Sequence, residues 1–383
     1  MTNYELEALL GKTLSELQEV ALSVGLQKFA GKQLAEWIYV RRVADIDEMT
    51  NISLKGREAL KAHYTVGRHA PVREAVSADG TRKYLFEIPH SQSPITNIKS
   101  AVEGRGEAFV ETVYIPENER ATLCVSSQVG CKMGCRFCMT GALGFHGHLS
   151  AAEILNQIFE IDRLAAADGR AALSNIVLMG EGEPMDNLDN VLRALTILTA
   201  PYACAWSPKR ITVSTVGIPA MRRFLEESEC HLAVSLHNPF PSERAQIMPA
   251  EKIMSITQVV ELLRQYDWSH QRRVSFEYIC WHGTDKSKEG SPVPNDTLRH
   301  AKELVRLLHG LECRVNLIRF HAGVEQVTAN GLNERRFPGS DERQMEWLRD
   351  YLTEKGITTT IRRSRGEDIL AACGMLVNSL ETH

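Results

Sequence analysis

The sequence predicts an α/β fold in which repeated strand–helix units build a parallel sheet. Two observations predict it. From residue 121 onward, short apolar strands alternate with amphipathic helices, and polar or reactive residues follow one strand after another. Such alternation fits either a doubly wound sheet or a barrel. In both, ligands bind at the carboxyl ends of the strands, so we expect one shared site there.

Length and composition are those of a globular protein with more than one domain. The chain has 383 residues, against roughly 100 to 200 for a typical domain, so we expect one large and one small domain. No apolar run approaches the roughly 20 residues that a membrane span needs. The N-terminus lacks the basic and apolar blocks of a signal peptide, which predicts a cytoplasmic protein with cysteines as thiols. The net charge of −4 neither indicates nor excludes a nucleic-acid partner.

Residues 1–74 are predicted to form a small helical accessory domain. Apolar residues recur there at helical spacing: Leu6, Leu9, Leu10, Leu14, Leu17 and Val20. Residues 75–120 read as a β-rich extension. Its predicted elements are strands at 84–88 and 108–115 and a polar loop at 90–106.

The large domain is predicted to follow, with a capping box at Ser150 and Glu153 opening its first long helix. The predicted strands are 121–127, 175–179, 211–215, 231–236, 274–280, 314–320 and 358–361. The predicted helices are 154–167, 188–198, 219–227, 256–266, 296–308 and 341–355.

Three cysteines follow the first of these strands with the spacing C-x-x-x-C-x-x-C: Cys131, Cys135 and Cys138. Thiolates are ligands of iron–sulfur clusters and of zinc, and a cubane cluster held by three thiolates keeps one iron open. The alternatives are a zinc knuckle completed by His146 or His148 and three unconnected buried thiols. The close spacing within a glycine-rich loop favours the cluster.

Further polar residues follow the next strands. The predicted site residues there are Gly182, Glu183, Ser214, Ser235, Leu236, His237 and His321. Taken singly, each could be a turn residue or a strand-end hydroxyl, but the cysteine loop on the same edge favours a shared site. Short basic groups at 209–210, 222–223, 272–273 and 362–365 could hold phosphates or could be solvated element ends.

The cysteine spacing at the end of the first strand resembles the radical S-adenosylmethionine (SAM) superfamily. Longer stretches at 110–116, 120–131 and 368–374 resemble the RlmN family of adenine-C2 RNA methyltransferases, and the similarity runs from about residue 28 to residue 376. The resemblance implies a partial (βα)6 TIM-like radical SAM barrel over residues 121–376.

The resemblance also implies the chemistry. A [4Fe–4S] cluster on the three cysteines would cleave SAM to a 5′-deoxyadenosyl radical, and two SAM molecules would be used per turnover. Cys373 would accept a methyl group from one SAM, and the radical from the other would activate that methyl for addition to C2 of adenine. Glu111 would accept the C2 proton. Cys124 would then attack the sulfur of Cys373, which is linked to the RNA through the transferred carbon, and leave a disulfide. On the residues alone, Glu111 could be a strand carboxylate and Cys124 a core thiol.

The family's SAM contacts map onto the polar residues after the strands named above. The chain departs from the family at His321, where an asparagine is usual, and at Glu181, where methionine is usual. The implied partners are 23S rRNA, tRNAs modified at the adenosine 3′ of the anticodon, and an electron donor, with the enzyme acting as a monomer. Two alternatives stay open: a Cfr-type adenine-C8 methyltransferase and a zinc-stabilised RNA-binding protein without catalysis.

Overall fold

The computed structural model describes residues 6–88, 108–270, 273–282, 294–320, 327–328, 331–332 and 339–376. Three sequence-based expectations lie outside these residues: the polar loop at 90–106, His321 and Arg272.

The N-terminal part is mainly helical, but its first element is a strand. The elements are β1 (Glu7–Ala8), α1 (Leu14–Ser23), α2 (Ala30–Ala35) with a π-helical turn (Glu36–Val40), a 3-10 turn (Ile46–Glu48), α3 (Leu54–Lys61) and β2 (Tyr64–Thr65). The prediction that Leu6, Leu9 and Leu10 belong to a helix was wrong. The β1 segment pairs in parallel with β2, and the Leu9 and Leu10 N–H groups donate to the backbone of β2 and the residue after it. The helix begins only after Thr13, because Thr13 and Glu16 form a capping box.

A ten-stranded sheet forms the centre of the molecule. Its antiparallel part is β3 (Arg73–Val76), β4 (Arg82–Ile88) and β5 (Ala108–Glu117). Its parallel part is β6 (Arg120–Cys124), β9 (Leu173–Leu178), β10 (Ile211–Thr215), β11 (His231–Ser235), β12 (Val274–Cys280), β13 (Cys313–Arg319) and β16 (Thr358–Arg362). Outside this sheet are two hairpins, β7 (Gln128–Gly130) with β8 (Phe145–His148) and β14 (Val327–Thr328) with β15 (Gly331–Leu332).

Helices connect the parallel strands. They are α4 (Met139–Leu143), α5 (Ala151–Ala167), α6 (Leu188–Thr199), α7 (Met221–Glu227), α8 (Pro241–Ile247), α9 (Ile256–Gln265), α10 (Leu298–Leu308) and α11 (Glu342–Glu354). Six of them lie near their predicted positions, whereas the short helices α4 and α8 were not predicted. Further 3-10 turns span Pro184–Asn187, Pro208–Arg210, Pro249–Lys252, Trp268–His270 and Glu367–Ile369. The predicted capping box of Ser150 and Glu153 is present at the start of α5.

The strand order decides between a doubly wound sheet and a barrel. The seven parallel strands lie in the same order in the sheet as in the chain, without the reversal that defines a doubly wound sheet. Each crossover therefore returns to the next strand and the sheet curls in one direction. In the part of the chain that the structure describes, β16 and β6 are not paired, so the barrel is partial. Six strand–helix units precede its seventh strand.

The N-terminal helices pack against the outer side of α5 and α6. The side chains of Arg68 and Glu160 are 1% and 5% exposed and form an ion pair between the two parts, and Asn156 on α5 exchanges two hydrogen bonds with the backbone of His69. As a result, α5 is buried on both of its faces. None of the described helices combines the length and apolar character needed to cross a membrane.

Candidate functional site

A cavity of about 590 Å³ lies at the carboxyl ends of the parallel strands, where the sequence predicts the site. Ten predicted site residues line it: Cys124, Cys131, Cys135, Cys138, Gly182, Glu183, Ser214, Ser235, His237 and Cys373. Glu111 and Leu236 are buried beside it without lining it. The topology thus brings together residues that are up to 249 positions apart in the sequence, from Cys124 to Cys373.

The cysteine loop is held by the β7–β8 hairpin, which the sequence analysis did not predict. Cys131 N–H donates to the Gly144 carbonyl at 2.8 Å. Gly130 has a φ of 67°, and a Cβ there would lie 1.9 Å from the Gly144 oxygen. Gly134, between the first two cysteines, also has a positive φ, of 64°. The glycines therefore allow the tight turns that bring the cysteines to one cavity wall.

The three thiols form a donor set that fits an iron–sulfur cluster. Burial, followed by the neighbouring thiols of Cys138 and Cys131, raises the pKa of Cys135 well above its usual value. Burial likewise raises the pKa of Cys131 to about 12. Such thiols are neutral until a metal replaces their protons. Cys131, Cys135 and Cys138 would hold three irons of a cubane cluster, and its fourth iron would then have no thiolate from this loop.

The alternative of a single zinc ion has less support. His146 Nε2 donates to the Leu143 carbonyl at 2.9 Å, and His148 Nδ1 lies 3.1 Å from Gln128 Nε2. Both histidines thus make contacts within or beside the hairpin.

Glu183 connects the loops after β9 and β10. Its carboxylate accepts hydrogen bonds from Met185 N–H at 3.1 Å and Val216 N–H at 2.9 Å. Burial nevertheless raises its pKa to about 7. Gly182 before it has a φ of 95°, and a Cβ there would lie 2.5 Å from the Gln128 side chain. The loop therefore packs directly on the start of the cysteine hairpin.

His237 is held in one orientation and one tautomer. Its Nδ1 accepts the Ile279 N–H at 3.0 Å, so the proton of the neutral ring is on Nε2. Burial lowers the pKa of His237 to about 3, and the ring of Phe137, from the cysteine loop, packs edge-on with a centroid distance of 4.8 Å. His237 is therefore a neutral donor in the cavity wall. Leu236 is fully buried, and its N–H donates to the Glu277 carbonyl at 3.0 Å.

Arg244 is a buried cation that the sequence analysis missed. Its guanidinium donates to the carbonyls of Val216 at 2.7 Å, Ser235 at 2.8 Å and Leu236 at 3.0 Å, and it pairs with Glu251. It therefore fixes the backbone at the ends of two neighbouring strands. In the sequence, an arginine on a short helix such as α8 reads as a solvated surface residue.

The segment that carries Cys373 is held from two sides. On one side, the Gly374 carbonyl accepts a hydrogen bond from Met139 N–H in α4 at 2.8 Å. On the other, the Asp368 carboxylate accepts from Ser77 Oγ at 2.5 Å and Ala78 N–H at 3.0 Å, in the turn between β3 and β4. Cys373 lines the cavity and is exposed to it. The protein packed around the cavity nevertheless keeps much of the surrounding water away from its thiol. That desolvation raises the pKa of Cys373, and the Arg362 guanidinium opposes the change.

The strand register places Glu111 and Cys124 on one face of the sheet. Val113 of β5 pairs with Cys124 of β6, and Glu111 lies two residues before Val113. Val113 packs with Ala371 of the Cys373 segment. Burial, and next the Cys373 thiol, raises the pKa of Cys124 to about 12. The two thiols expected to form a disulfide are thus neighbours in the cavity.

Glu111 has buried partners that the sequence analysis did not identify. Its carboxylate pairs with Lys83 Nζ at 2.8 Å, and the two side chains are 1% and 8% exposed. Its backbone N–H donates to the carboxylate of Glu181 at 2.7 Å. Glu181, which departs from the family pattern, therefore ties the loop after β9 to the strand that carries Glu111.

Comparisons with known proteins point to one family. Residues 8–66 match the model of the ribosomal RNA large subunit methyltransferase N-terminal domain, and residues 125–290 match the radical SAM superfamily. A crystal structure of a radical SAM methyltransferase from Sphaerobacter thermophilus has a TM-score of 0.83 and 34% identity, covering 97% of this chain and 100% of that one.

Curated relatives match over almost their whole length. The probable dual-specificity RNA methyltransferase RlmN of Phocaeicola vulgatus is 53% identical, covering 96% of this chain and 94% of that protein. The protein of the same name from Bacteroides fragilis is 54% identical, covering 96% of this chain and 95% of that protein. Because the relatives, both family models and the solved structure agree, the chain belongs to the RlmN family of radical SAM enzymes, a membership that implies SAM and a [4Fe–4S] cluster at this site.

Proposed function

We propose that this chain methylates C2 of one adenosine in 23S rRNA and of the adenosine 3′ of the anticodon in tRNAs, through a methylated cysteine. The observation that carries the proposal is the meeting of Cys124, Cys373 and the three loop cysteines in one cavity. The family comparisons favour this function over methylation at C8 and over a zinc-stabilised binding protein.

Cys131, Cys135 and Cys138 would hold the cluster, which when bound supplies the electron that cleaves SAM. Around it, polar groups of the cavity wall would bind SAM. The neutral Nε2–H of His237 offers one donor, and the carboxyl group of Glu183 offers an acceptor beside fixed backbone groups. Arg244 keeps the backbone of this wall in place.

Cys373 would take the methyl group from one SAM and present it to the base, so two SAM molecules are used per turnover. Glu111 would then accept the C2 proton, with the Lys83 ammonium offsetting the charge of this buried carboxylate. Cys124 would displace the product by attacking the sulfur of Cys373, and an external thiol would reduce the resulting disulfide. The shared face of β5 and β6 supports this assignment.

The proposal extends to the domain division, the RNA-contacting surface, the oligomeric state and the location of the enzyme. We infer a division into an RNA-contacting domain at 1–74, an extension at 75–120 and a catalytic core at 121–376. The basic group at 362–365 would contact RNA together with the first domain. The enzyme would act as a monomer in the cytoplasm, where its RNA substrates are, with a separate electron donor for the cluster.

Nucleoside mass spectrometry tests the proposal. RNA incubated with the reconstituted enzyme, SAM and a reductant should yield 2-methyladenosine, whereas 8-methyladenosine or unmodified adenosine would contradict it. Iron analysis of anaerobically purified protein should give about four irons per chain. The variant Cys373→Ala should keep this iron and lose RNA methylation, because it removes only the methyl acceptor.

A further inference from the structure

Four arginines line one part of the cavity wall, at the carboxyl ends of β13 and β16: Arg319, Arg362, Arg363 and Arg365. Two of them have acidic partners. Arg362 pairs with Glu277 at 3.3 Å, and Arg365 lies 3.9 Å from Asp79. Arg319 and Arg363 are exposed and form no ion pair with any residue that the structure describes.

The two unpaired arginines are neighbours across the sheet. The β13–β16 ladder pairs Ile318 with Arg362, so the next residues, Arg319 and Arg363, leave adjacent strands side by side. The backbones of adjacent strands are about 4.8 Å apart, so the two side chains start side by side, and like charges on neighbouring strands repel. An anion between the guanidinium groups would replace this repulsion with attraction on both sides.

The acids near this wall do not supply that anion. Glu277 is shared between Arg362 and the Asn316 amide, which donates to it at 2.8 Å. Glu117 is exposed on the same cavity but forms no ion pair with Arg319 or Arg363. Neither Arg319 nor Arg363 therefore has an anionic partner among the residues that the structure describes.

We propose that Arg319 and Arg363 form a binding site for one backbone phosphate of the RNA, next to the nucleotide whose base enters the cavity. This inference rests on the proposed function. A guanidinium fork matches the oxygens of a phosphodiester. A base can reach the cavity only after leaving its stack, so the flanking backbone has to be held at the rim.

The experiment measures binding of a synthetic anticodon stem–loop RNA by the full chain with its cluster, by fluorescence anisotropy over a series of KCl concentrations. At fixed salt, Arg319→Gln and Arg363→Gln should each weaken binding roughly fivefold, and the double variant roughly twentyfold. The double variant should also lower the slope of log Kd against log salt by about 0.7, the value for one phosphate of a single strand.

Arg222→Gln is the matched control. Arg222 lies on α7, is exposed, has no ion pair with a described residue and does not line the cavity. Its Kd should stay within about twofold of the wild type. The variant Arg363→Lys keeps the charge without the fork, so it should preserve the salt slope and weaken binding less than Arg363→Gln. Melting temperature and iron content check the fold of every variant.

A double variant that binds RNA with the affinity and slope of Arg222→Gln would overturn the inference, while RNA methylation by the wild type would leave the proposed function intact. A wild-type holoenzyme that neither binds nor methylates RNA would overturn the proposed function, and the phosphate site with it.

Discussion

At the scale of single residues, Glu181 shows how a departure from a family pattern can have a local physical reason. It is fully buried, and its carboxylate accepts the Glu111 N–H at 2.7 Å. A methionine sulfur is a weaker acceptor for such an N–H group. In this chain the carboxylate therefore helps to position the strand segment that carries the expected proton acceptor.

The Lys83–Glu111 pair leads to a stability prediction. Lys83→Met should lower the free energy of unfolding by about 3 to 5 kcal/mol, because it removes one charge of a buried ion pair. The double variant Lys83→Met/Glu111→Leu should recover most of that loss, since neither charge is then buried. Urea unfolding of the cluster-free chain measures both, and equal stability of wild type and single variant would contradict the prediction.

His237 leads to a prediction about pH. The folded chain holds its pKa near 3, below the unfolded value of 6.5, so the unfolded state binds the proton more tightly between these values. Stability should therefore fall as the pH drops below 6.5, by up to about 1.4 kcal/mol per pH unit from this group.

The variant His237→Asn isolates this contribution in the cluster-free chain. Asparagine can accept the Ile279 N–H, tolerates the φ of 52° at this position and does not titrate. The stability difference between wild type and variant should change with pH only below about 6.5. A pH-independent difference from 7 down to 5 would show that His237 does not have the lowered pKa.

At the scale of elements, the segment from Gly366 to Leu376 connects distant parts of the fold. Asp368 holds it to the β3–β4 turn, and Gly374 holds it to α4 beside the cysteine loop. Asp368→Asn should slow RNA methylation roughly tenfold, the effect of weakening a charge-assisted hydrogen bond worth about 1.5 kcal/mol. Iron content should stay at the wild-type level, because the three cluster cysteines lie in another loop.

Single-turnover methylation assays measure this effect, and the reaction of Cys373 with iodoacetamide gives a second readout. A loosened segment should expose the thiol more and raise its alkylation rate. Asp350→Asn is the control, since Asp350 is exposed on α11 and pairs only with its neighbour Arg349 among the contacts of the described chain. Equal methylation rates for Asp368→Asn and Asp350→Asn would refute the role of the Asp368 contact with the β3–β4 turn.

Elements with strong periodicity could be predicted from the sequence, and those fixed by distant contacts could not. The parallel strands and the capping box at Ser150 are local patterns, and both were predicted. The extended segment of β1 was predicted as helix because its parallel partner, β2, lies more than 50 residues away. The same limit applies to the site: cysteine spacing indicates the cluster loop, whereas the partners of Arg244 and Glu111 depend on tertiary packing.

At the scale of the whole molecule, the N-terminal helices and the barrel share one hydrophobic core. Leu17 of α1, Leu34 of α2 and Phe159 of α5 belong to the same buried cluster. The Arg68–Glu160 ion pair is enclosed between the two parts. Separating them would expose the outer face of α5 and leave the buried Arg68 guanidinium without its carboxylate partner. The two parts should therefore unfold together.

Tryptophan fluorescence can test this coupling, because Trp37 is the one tryptophan among the first 74 of the 383 residues. Its side chain is 8% exposed, and its indole N–H donates to Asn51 at 2.5 Å. In urea, the wild-type minus Trp37→Phe difference signal reports the N-terminal helices, and the Trp37→Phe signal reports the barrel. The two midpoints should coincide in the cluster-free chain. An earlier transition of the difference signal would mean that the N-terminal helices unfold alone, and that the buried ion pair does not couple them to the barrel.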